Sequence, residues 1–112
     1  EDMFESVTFD DKVLAETCYN VAICNRYMGY ESYNKIVDAI NKGIEDKEVL
    51  REMLDEADTA LKYFKVSKER FYDASSFDPD DQKSTTYAKD LNKLIKSIKD
   101  VFKPQIKELI RK

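Results

Sequence analysis

The chain has 112 residues, 38% of them charged and 42% hydrophobic, and carries a net charge of −4. That length fits one domain with a modest core, and the apolar content is too high for a disordered chain. Two Gly and two Pro leave few positions for the tight turns of a many-stranded sandwich or barrel, and no run approaches the roughly 20 apolar residues of a membrane span, so a soluble, all-α chain is expected.

Residues 1–9 (EDMFESVTF) read as an N-terminal arm with Met3, Phe4, Val7 and Phe9 as apolar pegs, leading into a single helical domain over residues 10–112. Thr8 or Asp10 is a suitable cap for the first helix. Because the chain opens on Glu1 rather than Met, it is expected to be cut from a longer precursor or excised as an internal domain, with a lean towards an exported protein.

From Asp11 to about Asn41 the pattern is helical, with Gly43 placed to end it. Leu14, Cys18, Ala22, Tyr33, Ile36, Ile40 and Ile44 recur at spacings of three, four and their multiples, and form the expected core stripe. Gly29 interrupts the middle, where it permits a kink or a close helix crossing at a cost of about 1 kcal/mol relative to Ala. Cys18 and Cys24 are six residues apart, a climb of about 9 Å on a continuous helix, so they cannot pair with each other there. Both are expected to be small buried apolar side chains.

Asp46 starts a second helix, whose stripe of Leu50, Met53, Leu54, Ala57, Leu61, Phe64, Phe71 and Ala74 runs to about Ser75, with Val49 in its first buried turn. In the SFDPDD segment after it, Asp78 fits an N-cap, Pro79 the first helical position, and Asp80 and Asp81 the positive end of the helix dipole. The third helix then presents Tyr87, Leu91, Leu94, Ile95, Ile98, Val101, Phe102 and Leu109 as its stripe. Pro104 should bend it or remove one backbone hydrogen bond. Three helices of roughly 30 residues with short connections imply an all-α, antiparallel, up-down-up three-helix bundle, or four helices if the first breaks near Gly29.

Charge is unevenly shared. Residues 1–46 carry a net −6, residues 47–78 a net −2, and residues 79–112 a net +4. Lys89, Lys93, Lys96, Lys99, Lys103 and Lys107 fall within an arc of roughly 120° opposite the apolar stripe of the third helix. Such a row suits an anionic surface, a membrane leaflet or nucleic acid. Asp100 interrupts the row, and the row contains no Arg to fork onto phosphate, so a solvated helix face is the preferred reading and membrane or nucleic acid the secondary one.

The chain has no His, which excludes His-based triads, His proton shuttles and His-containing metal sites. It has no Gly-rich phosphate loop, and two Cys at this spacing match no zinc or redox motif. Asp55, Glu56 and Asp58 read as solvated surface. Asp78, Asp80 and Asp81 read as capping groups, without the Gly and terminal Glu of a calcium loop. No catalytic residue, metal or cofactor is assigned, no small-molecule substrate is implied, and a non-enzymatic role is expected.

One feature asks for a partner. Tyr19, Ile23, Tyr27, Tyr30 and Val37 cluster on the first helix, displaced by roughly 100° from its core stripe. A helix in a simple bundle needs one buried stripe, so this second apolar face must be covered by the arm, by neighbouring helices, or by another protein or second copy. Tyr suits an interface because it buries a ring and keeps a polar tip in water. The expected function is therefore a protein-interaction module that uses this face. Small exported binding or inhibitor proteins and helical domains of surface lipoproteins fall within that class.

Overall fold

The computed structural model describes residues 2–112, with side chains described from Asp10 onward. Every regular element among these residues is helical. They are α1 (Asp2–Asn41), α2 (Lys47–Phe77), α3 (Gln82–Ser97) and α4 (Lys103–Arg111), with a π-helical turn (Ile98–Phe102) joining the last two into one rod. Three rods result, consistent with a three-helix bundle. The particle measures 68 × 18 × 17 Å, and its length comes from α1, whose 40 residues span about 60 Å.

The backbone is already helical from Asp2, so α1 enters the stretch read as an arm. Residues 2–9 contain neither Gly nor Pro to stop a helix. The pegs Met3, Phe4, Val7 and Phe9 lie outside the described side chains. At its other end α1 closes in a Schellman motif: Gly43 adopts φ 66°, Ile44 N–H donates to the Ala39 carbonyl, and Gly43 N–H to Ile40. Asp46 caps α2 by accepting from Glu48 and Val49 N–H.

The expected cap at Asp78 is corrected by three residues. Asp78 ends α2, its N–H bonded to the Ala74 carbonyl, and its carbonyl accepts from Asp81 N–H across a turn that contains Pro79. An Asp-Pro pair suits the first two positions of such a turn as well as it suits a helix start. Asp81 is the true cap of α3, accepting from Ser84 N–H at 2.9 Å and from the Ser84 hydroxyl.

Gly29 does not break α1, which is a single helix from Asp2 to Asn41. A methyl placed there would lie 2.5 Å from two atoms of the Phe64 ring, so the glycine admits that ring against the helix backbone. The row facing α2 is small and repeats every seven residues: Ala15, Ala22, Gly29, then Ile36. Opposite it stand Ala57, Ala60, Phe64, Ser67, Phe71 and Ala74. Ser67 Oγ donates to the Ala22 carbonyl at 2.7 Å, a fully buried bond that satisfies the only polar group in this part of α2's inner face. Along α1 in chain order, Tyr19 meets Phe71, Ala22 meets Ser67, Gly29 meets Phe64 and Lys35 meets Glu56.

Several stripe residues differ from the sequence reading. Leu14 is exposed because the close α1–α2 crossing favours its small neighbour Ala15. Cys24 is exposed and Cys18 half-buried, both free thiols rather than core. On the third rod Val101 is exposed and Ile106 fully buried. The π turn explains that exchange. Pro104 has no N–H for the carbonyl of Asp100, and its ring would collide with that carbonyl in a tight α turn. The chain widens instead, Lys103 N–H reaches the Ile98 carbonyl, and the extra residue rotates Val101 outward.

Candidate functional site

The five residues singled out on α1 do not share one environment. Tyr19 packs edge-on against Phe71, with centroids 5.7 Å apart, and is half-buried. Tyr30 stands edge-on to Phe64 at 5.3 Å and to Tyr33 at 6.1 Å. Tyr33 in turn meets Phe102 of the third rod at 5.8 Å. Ile23 lies against the same core and Val37 is half-buried. Only Tyr27 stands clear, at 69% exposure. The neighbouring rods thus cover much of the tyrosine arc.

Arg26 is the key to that flank. Its guanidinium lies 5.2 Å from the Tyr30 ring centre and 4.8 Å from that of Tyr87, clamped between α1 and α3 by cation–π attraction. Burial raises the Tyr33 phenol above its ordinary pKa of 10.0, with the neighbouring Tyr30 adding to the effect.

A different apolar surface remains uncovered. Val13, Leu14, Val21 and Met28 are each 40–46% exposed, and Cys24 is exposed among them. Val21 and Met28 lie roughly 150° around α1 from the Arg26–Tyr33 flank that meets the third rod. Between Thr17 and Tyr30 the only charged residue is Arg26, in a chain that is 38% charged. Since Arg26 is held against two rings, this length of α1 presents an outward face without charge. Polar side chains at its edges are satisfied within the helix: Thr17 Oγ1 donates to the Val13 carbonyl and Asn25 Nδ2 to that of Val21.

No family model matches this chain. Nor does any curated protein or solved structure.

Among the described residues no group of three metal-binding side chains comes together, and no helix is long and apolar enough to cross a membrane. A depression of about 430 Å³ at the α1–α2 connection is lined by Glu45, Lys47, Leu50, Leu109 and Lys112. Of the lysine row, Lys103 is bound to Asp58 at 2.7 Å, while Lys89, Lys93, Lys96, Lys99 and Lys107 are exposed without an ion pair among the described residues. Sequence reasoning missed the Val21–Met28 face because it treated Leu14 as core. The run of uncharged residues was the signal that would have found it.

Proposed function

We propose that this chain is a non-enzymatic protein-interaction module that meets its partner through the outward face of α1. Its three rods run antiparallel, up, down and up, an arrangement supported by the order of contacts: later residues of α1 meet earlier residues of α2, and later residues of the third rod, from Tyr87 on Phe71 to Lys103 on Asp58, do the same. The observation that carries the functional reading is the charge-free exposed surface between Thr17 and Met28, with Tyr27 at its edge. Loss of charge at the centre of a patch, with aromatic and Met side chains present, is the compositional mark of an interface. Arg26 belongs to the internal packing, so this surface has no charge to repel an apolar partner.

The test is a pull-down from the native source with mass identification, comparing the wild type with a Val21→Asp/Met28→Asp double variant. Both positions are exposed, so helical circular dichroism should be unchanged, while the captured partner is lost or weakened at least tenfold. An unchanged set of captured proteins would refute the reading. A second reading, an anionic-surface binder, draws on the five exposed lysines of the third rod. It requires binding to anionic vesicles or nucleic acid that weakens steeply as salt rises.

A further inference from the structure

Leu14, Thr17, Val21, Cys24 and Met28 are all exposed, and they step along α1 by three, four, three and four residues. That is the alternation of a coiled-coil seam. It lies about 130° around the helix from the Ala15–Ala22–Gly29–Ile36 row, counting 3.5 residues per turn, so it points away from the protein's own core. The same alternation continues outward to Asp10 at one end and to Glu31 and Lys35 at the other, all three exposed. From Asp10 to Lys35 the steps are four, three, four, three, four, three, four, a series that reads the same in both directions. Its midpoint falls between residues 22 and 23.

Resting on the reading of this face as an interface, we propose that its occupant is a second copy of this chain, joined α1 to α1 in antiparallel fashion about a two-fold axis at that midpoint. Val21 then faces the partner's Cys24, and Thr17 the partner's Met28. Leu14 packs on the aliphatic stem of the partner's Glu31. Asp10 stands opposite the partner's Lys35, and by symmetry the same ion pair closes the other end. A parallel pairing would instead set Asp10 against Asp10 and Lys35 against Lys35, so charge complementarity selects the antiparallel one. The self-complementary order is what an isologous contact demands. The seam covers 25 residue steps, about 38 Å of helix, and is uncharged through its centre. Lys35 keeps a long 3.5 Å contact with Glu56 and is 62% exposed, which leaves its ammonium free to reach a second carboxylate.

Sedimentation velocity of the full chain across a concentration range tests this. The wild type should pass from monomer to dimer, and Met28→Glu should remain monomeric with its helix content intact. Asp10→Lys and Lys35→Asp should each weaken self-association by about tenfold, because each places two like-charge pairs across the seam. The Asp10→Lys/Lys35→Asp double variant should return it to within about twofold of the wild type. A chain that stays monomeric up to millimolar concentration overturns the second copy as occupant, as does a double variant no better than the singles. Neither result touches the broader interaction reading, which stands or falls on the capture experiment with Val21→Asp/Met28→Asp.

Discussion

At Gly29 the usual ranking of helix residues is reversed. An exposed helical Gly→Ala change gains about 1 kcal/mol from backbone entropy, but here the added methyl would lie 2.5 Å from the fully buried Phe64 ring. Overpacking of that kind costs about 1–3 kcal/mol. Gly29→Ala is therefore expected to lower stability by up to about 2 kcal/mol net in urea unfolding, and a stabilised variant would show that the ring yields freely. Tyr33 makes a different demand. Its phenol is raised above 10.0 in the folded chain by burial and by Tyr30, so the folded state holds that proton more tightly than the unfolded one. The resulting stability is present below pH 10 and is lost as pH rises through the folded pKa. Unfolding free energy measured from pH 8 to 11 should fall at the alkaline end, and Tyr33→Phe should flatten that fall.

Among the elements, the α2–α3 connection depends on one carboxylate. Asp81 bonds both the backbone N–H and the hydroxyl of Ser84, and Ser84 is fully buried. Asp81→Ala should cost about 1–2 kcal/mol in thermal or denaturant unfolding, whereas Asp80→Ala, which removes no side-chain cap, should stay within about 0.5 kcal/mol. Sequence alone located the α1 end at Gly43 and the α2 cap at Asp46, because each position has one residue suited to the geometry. It misplaced the third cap because SFDPDD offers three carboxylates and a proline that fits a turn and a helix start equally well. Periodicity found Leu91, Ile95 and Ile98 but not Ile106, since an α-helical count fails once Pro104 forces a wider turn. The candidate site was legible only in part. Tyr19, Ile23 and Tyr30 were recognised as a second apolar arc, but apolarity does not reveal that Phe64 and Phe71 flank it. Nor does it reveal that a helix crossing on Ala and Gly leaves Leu14 outside.

For the molecule as a whole, α2 carries most of the packing between α1 and the third rod. Long side chains bring those two together: Arg26 to Tyr87, and Tyr33 to Phe102. The net −3 of residues 10–46 thus lies beside the net +4 of residues 79–112, which favours their side-by-side docking. A width of 17–18 Å against a length of 68 Å has one more consequence. The interior is a single file of side chains, with no deep centre to hold the extremities closed. Opening can begin at either extremity and travel inward, as a zip fastener parts, until it meets the Phe64–Gly29 crossing. Amide protons near that crossing should exchange with deuterium slowest, with rates rising towards both tips of the particle; uniform protection along its length would mean that the three rods part all at once.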